Sequence, residues 1–207
     1  MKVNAKVKAV VFDLDGVYFE SGAQNFVASL KDVYGLTQRQ IEDVYFNSEE
    51  MRKLKKGKIT CLDFWKFAVH RWRIEATREE LVDLMLSGYS VREETQLFVE
   101  KLRAKGIKTA VCTNNFDDRL EGLKQQFNLD NHFDEIVASH TTGVSKPNPA
   151  IFRCLAETLN LQPNEIVMSD DKESNIATLR DLGFEAFLFE SWEDFTERVN
   201  TLLGVHR

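Results

Sequence analysis

The apolar positions change period along the chain. Residues 8–13, Lys-Ala-Val-Val-Phe-Asp, are a short continuous apolar run ended by a carboxylate, which predicts a parallel strand buried on both faces. From about residue 24 to residue 90 the apolar positions recur at helical spacing. Phe26, Val27, Leu30, Val33 and Tyr34 predict one stripe, continued by Ile41, Val44, Tyr45 and Met51. Leu62, Phe64, Trp65, Phe67, Ala68 and Trp72 predict an aromatic helix capped by Thr60. Leu81, Leu84 and Met85 predict another behind the capping box Thr77-Arg-Glu-Glu80. No convincing strand interrupts this stretch.

The second half alternates. Helix is predicted over 94–105, stopped by Gly106, then an apolar strand over 107–112 that enters Thr113-Asn114-Asn115. Helix 119–127, strand 133–138 and helix 149–159 with proline in its first turn follow. Strand 166–168 ends at Ser169-Asp170-Asp171, and helix 174–182, strand 186–189 and helix 193–203 complete the chain. Such alternation predicts an α/β fold, a Rossmann-like parallel sheet with helices on both faces. The first strand joins that sheet, so the helical stretch is an insertion after it.

Composition narrows the classes. With 207 residues the chain can build one core plus a modest insertion without disulfide or metal staples. A net charge of -6 argues against nucleic acid as a partner, and no apolar run is long enough to span a membrane. Three widely spread cysteines with no C-x-x-C pair argue against a disulfide framework or structural zinc and for a reducing, cytoplasmic setting. The lysine-bearing N-terminus precedes only about four apolar residues, too few for a signal peptide.

Ligands of open parallel sheets bind beyond the carboxyl ends of the strands. There the sequence puts Asp13 and Asp15, Thr113 and Asn114, and Asp170 and Asp171, with Lys146 in the loop before a helix. Four clustered carboxylates repel one another unless a cation is bound, and an oxygen-only donor set favours a hard ion such as Mg2+. Metal plus lysine suits a phosphate-bearing substrate. Aspartate can attack phosphorus in line, with Asp13 placed as the nucleophile and Asp15 as the general acid and base.

Val-Val-Phe-Asp13-Leu-Asp15-Gly-Val, Val-Cys-Thr113-Asn-Asn, Gly-Val-Ser-Lys146-Pro-Asn-Pro and Val-Met-Ser-Asp170-Asp171-Lys-Glu-Ser-Asn175 resemble, in order, the four motifs of the haloacid dehalogenase-like (HAD) hydrolase superfamily. The resemblance implies a core over 1–17 and 91–207 and a helical cap over 18–90. It implies that Thr113 and Lys146 hold the phosphoryl group, with Asn114 as a further candidate. Asp13, Asp170, Asp171 and the main-chain carbonyl of Asp15 would form the Mg2+ site. The cap looks most like those of small sugar-phosphate phosphatases and of the phosphatase domain of epoxide hydrolases. Family dehalogenases lack an acid/base aspartate at the position of Asp15, so the expectation is a phosphatase acting on a small phosphomonoester through an aspartyl-phosphate, as a monomer or small homo-oligomer. A phosphomutase of the same superfamily is the nearest alternative, ahead of a 2-haloacid dehalogenase, a receiver domain or a non-catalytic regulator.

Simpler roles are expected elsewhere. Asn175 should brace its helix, and the aromatics Phe64, Trp65, Phe67 and Trp72 should form the interior of the cap. The basic run Lys53, Lys55, Lys56 and Lys58 reads as a solvated face, although one lysine could meet a distal anionic group of a substrate. The four histidines receive no role. The hinges into and out of the cap are expected at 17–22 and 88–92.

Overall fold

The computed structural model describes residues 7–91 and 93–204. The lysines before residue 7, the expected hinge residue Arg92 and His206 lie outside the described residues. β1 (Ala9–Phe12) leads to a two-residue strand, β2 (Phe19–Glu20), and then to the inserted helices. These are α1 (Gly22–Tyr34), α2 (Gln38–Ile41), a π-helical turn (Glu42–Phe46), α3 (Glu49–Leu54), α4 (Cys61–Trp72) and α5 (Arg78–Leu86). A second short strand, β3 (Ser90–Val91), returns the chain to α6 (Glu93–Ala104), β4 (Lys108–Thr113), α7 (Asp117–Phe127), α8 (Leu129–His132) and β5 (Glu135–Ala138). The remainder is α9 (Ser139–Thr142), α10 (Pro149–Leu159), β6 (Ile166–Asp170), α11 (Glu173–Asp181), β7 (Glu185–Leu188) and α12 (Trp192–Leu202).

The main sheet has the order β5-β4-β1-β6-β7, and every pair in it is parallel. β1 is buried along its whole length because helices cover both faces. Val10 and Phe12 pack with Phe98 and Val99 of α6, Leu120 of α7 and Phe195 of α12. Ala9 and Val11 face the opposite core with Ile151 and Leu155 of α10 and Ile176 of α11. The first core runs on without a break into the insertion, through Phe26, Tyr45, Phe64 and Trp65.

Three details depart from the periodicity. Both expected hinge segments contain a strand, and β2 pairs antiparallel with β3, a ribbon too short to show an alternating pattern. Val33 and Leu62, placed on the apolar stripes, are 60% and 50% exposed. They lie in the last turn of α1 and the first turn of α4, where the stripe outruns its packing partners. Finally, β4 runs one residue further than expected, so Thr113 is the last residue of a strand and its side chain is fixed by the sheet.

Candidate functional site

Asp13 follows the last residue of β1. The register pairs Phe12 with Val111 on one side and Ser169 on the other, so the next step brings Asp13 level with Cys112 and Asp170. Asp13, Asp170 and Asp171 each present a carboxylate oxygen within 4.8 Å of the others. Asp13 and Asp170 are buried, while Asp171 is open to solvent. This is an all-oxygen donor set with no histidine or cysteine, and it fits a hard divalent cation such as Mg2+.

Lys146 ties two of these carboxylates together. Its Nζ lies 2.9 Å from Asp13 Oδ1 and 2.6 Å from Asp170 Oδ2, and donates to the Cys112 carbonyl at 2.8 Å. The ammonium thus donates to Asp170 and Cys112 and pairs with Asp13. Burial pushes the Asp13 carboxyl up to about 6; Lys146 opposes this, and the charges of Asp170 and Asp15 add to it. Burial would also raise Asp170, but Lys146, the Asn175 amide at 2.6 Å and the Lys172 N–H at 3.0 Å hold it below the usual carboxylate range. On the Asp13 carboxylate, the Leu14 N–H donates to Oδ1 at 2.8 Å, and the Lys146 ion pair falls on the same oxygen. The other oxygen is left for a reacting group.

Thr113 and Asn114 differ in what they offer. The Thr113 hydroxyl is buried and has no hydrogen-bond partner among the described residues. An orphaned donor of this kind costs about 1–3 kcal/mol until an acceptor arrives, and an anionic ligand oxygen would provide one. The Asn114 side chain accepts from the Lys146 N–H at 2.8 Å and donates to the Lys146 carbonyl at 3.0 Å. Its amide therefore holds the loop that carries the ammonium group.

The Asp15 side chain turns away from the acidic trio. Oδ2 lies 2.9 Å from an Arg119 terminal nitrogen, and Oδ1 accepts from the Tyr89 hydroxyl at 2.9 Å. Burial opposes the charge on Arg119, but Asp15 raises its pKa above the ordinary arginine value. Lys55 reaches the same region from the loop after α3. Burial, and next the nearby Arg119 charge, lower its ammonium to about 8, with Asp15, Lys172 and Asp13 also around it. Neighbouring Gly57, at a φ of +63°, has no room for a side chain, since a Cβ would come 2.3 Å from the His140 carbonyl.

Arg119, Tyr89 and the inward course of Lys55 escape the sequence reading. Arg119 sits at a polar position of an amphipathic helix, and Lys55 is one lysine in a basic run. Asn175 was legible as a brace, but what it braces is Asp170. Of the aromatics assigned to the interior of the insertion, Phe64, Trp65 and Trp72 are buried and Phe67 is partly buried. A second cluster, Cys61, Asp117 and Asp118, also brings three ligand atoms together, but both Asp118 oxygens are already committed to Arg78 and Trp65.

A parallel sheet gathers carboxylates, an ammonium and a hydroxyl without a partner among the described residues at its carboxyl edge, which defines a Rossmann-like α/β protein with its site at the strand ends. The chain belongs to the haloacid dehalogenase-like hydrolase family, whose model matches residues 7–183. It is 25% identical to the bifunctional epoxide hydrolase 2 of Sus scrofa over 96% of this chain, but spans only 39% of that protein's length. It is also 25% identical to the D-ribitol-5-phosphate phosphatase of Bacteroides thetaiotaomicron, covering 96% of this chain and 99% of that one. The fold is shared with a crystal structure of a HAD family enzyme from the same bacterium, in complex with magnesium and inorganic phosphate. Its TM-score is 0.79 at 19% identity, over 91% of this chain and 98% of that one. Among the described residues no helix is long and apolar enough to cross a membrane.

Proposed function

We propose that the chain is a Mg2+-dependent phosphatase that hydrolyses a small phosphomonoester, such as a sugar phosphate, through an aspartyl-phosphate on Asp13. The observation that carries this reading is the convergence of the acidic trio, Lys146 and the orphaned Thr113 hydroxyl at one sheet edge. The similarity to a D-ribitol-5-phosphate phosphatase along nearly the whole chain supports it. Asp13, Asp170, Asp171 and the Asp15 main-chain carbonyl would hold Mg2+, and the ion when bound supplies positive charge against the phosphoryl oxygens.

The free oxygen of Asp13 attacks phosphorus as the bond from phosphorus to the leaving oxygen breaks. Thr113 donates to a phosphoryl oxygen, and Lys146 offsets the group's charge from its fixed place between Asp13 and Asp170. Asp15 gives a proton to the departing alcohol. It then takes one from a water whose oxygen attacks the phosphorus, releasing inorganic phosphate and restoring Asp13. The inserted helices act as a cap that excludes bulk water from the first step. Halide departure needs no proton, so a clamped Asp15 has no task in a dehalogenase. The three unpaired cysteines favour a reducing, cytoplasmic setting for this chemistry. Asp13→Asn should abolish Mg2+-dependent hydrolysis of an aryl phosphate. A wild-type protein inert against a broad panel of phosphate esters would defeat the reading.

A further inference from the structure

Asp15 is held at both oxygens by groups from different parts of the molecule. Arg119 is buried on α7, with its place set by Nε donating to Asn115 Oδ1 at 2.6 Å and a terminal nitrogen donating to the Asn114 carbonyl at 3.2 Å. Its guanidinium also lies 5.2 Å from the centre of the Phe116 ring. These three contacts hold the fork in place, and the terminal nitrogen that donates to Asn114 also lies 2.9 Å from Asp15 Oδ2. Tyr89 comes from the return segment of the insertion, immediately before β3. Its ring lies against Gly22 so closely that a Cβ there would fall 2.3 Å from a ring carbon, and this contact aims the hydroxyl at Asp15 Oδ1.

A side chain that transfers protons must stand within hydrogen-bond reach of the leaving oxygen, and an ångström of misplacement is expensive. A carboxylate on a turn beyond a strand end has free rotation about two bonds, and here those bonds are fixed from outside. We propose that Arg119 and Tyr89 are positioning residues that together aim Asp15 at the leaving group, with Tyr89 making that aim depend on the seated insertion. Lifting the return segment would withdraw the hydroxyl and leave Asp15 held by Arg119 alone. The proposal rests on the phosphatase reading above.

The test is a leaving-group comparison on the full chain with Mg2+. kcat/KM covers all steps up to departure of the alcohol. It is measured for p-nitrophenyl phosphate, whose phenolate leaves with little help, and for a simple alkyl phosphate, whose alkoxide needs a proton. Tyr89→Phe keeps the ring against Gly22 and removes only the hydroxyl, and Arg119→Lys keeps the charge and removes the fork. In each variant the alkyl-to-nitrophenyl ratio of kcat/KM should fall at least about tenfold, part of the 10²–10⁴-fold that general acid catalysis supplies. Equal losses on both esters, the mark of a merely structural role, would overturn the proposal and leave the phosphatase reading standing. A wild-type protein inert on both esters would overturn the reading and the proposal together. Tyr89→Phe deletes one atom and decides the Tyr89 role even if Arg119→Lys fails to fold; in that case Arg119→Gln, which keeps a side-chain donor without the charge or the fork, is read on the same ratio.

Discussion

The indole nitrogen of Trp65 donates to the Asp118 carboxylate at 2.9 Å, across the seam between the inserted helices and the sheet. Arg78, also from the insertion, donates to both oxygens of the same carboxylate, its Nε at 2.9 Å. The Asp118 N–H in turn points at Cys61 Sγ at 3.5 Å. Burial alone would raise this carboxyl, but Arg78 and then Trp65 hold it below the usual carboxylate range. Its neighbour in α7 is Arg119, so one turn of helix both anchors the insertion and holds Asp15.

Asp118→Ala should therefore loosen the seam. It leaves the buried Trp65 N–H without an acceptor and should cost about 1–3 kcal/mol in chemical denaturation at neutral pH. Asp118→Asn retains an acceptor for Trp65 and should cost less. Because the folded pKa lies below the unfolded one, the stabilisation is present above the ordinary carboxylate pKa and is lost as pH falls through the folded value. The gap between wild type and Asp118→Asn should accordingly narrow in acid. Variants as stable as wild type at neutral pH would show that the seam is held elsewhere.

Lys146 is a buried cation shared by two buried carboxylates. Replacing it with methionine leaves Asp13 and Asp170 buried face to face without their shared cation. Removing one partner of a buried charge group typically costs about 3–5 kcal/mol. The like charges would then raise both carboxyl pKa values. Lys146→Met should thus be inactive, and its stability at neutral pH should recover as acid protonates the pair, against the trend in wild type. A variant whose stability fell steadily with acid would contradict this account.

How much of this was legible in the sequence follows from where each residue sits. Asp13, Thr113 and Asp170 stand at strand ends, and in a parallel sheet a strand end fixes position and direction together. Lys146 was legible from its loop, while the Asn114 clamp that sets the loop's course was not. For Arg119 the 3.6-residue period says only that the position is polar; whether that face meets solvent or Asp15 depends on how the chain leaves β4. The fate of Lys55 depends on the turn at Gly57, and nothing in four nearby lysines marks the one that goes inward. β2 and β3 have two residues each, too few for any period.

Protons should compete with the metal at the acidic trio. Without a cation, the Asp13 carboxyl is pushed up to about 6, first by burial. A cation needs it ionised, so on the proposed reading Mg2+ binding weakens as pH falls through that value. Calorimetric titration should find the affinity roughly tenfold lower one pH unit below it than near neutrality, the proton competition expected of one group. Asp13→Asn should bind more weakly and lose this dependence. An affinity flat from neutrality into acid would place the metal away from Asp13.

Gly57 offers a test of whether the insertion reaches the site through Lys55. Its left-handed φ of +63° and the 2.3 Å separation between a would-be Cβ and the His140 carbonyl leave an alanine no place. The loop must lift, and Lys55, two residues earlier, must leave the group of charges formed by Arg119, Asp15, Lys172 and Asp13. Gly57→Ala should lower kcat/KM for a phosphate ester at least about tenfold, the scale expected when a group near the reaction is displaced by an ångström. Lys55→Ala should lower it in the same direction without straining the backbone. If the glycine acts by seating the lysine, the double variant is no worse than the poorer single variant, because the second change removes a contact already lost. Independent, additive losses would mean that the loop touches the chemistry by some other residue.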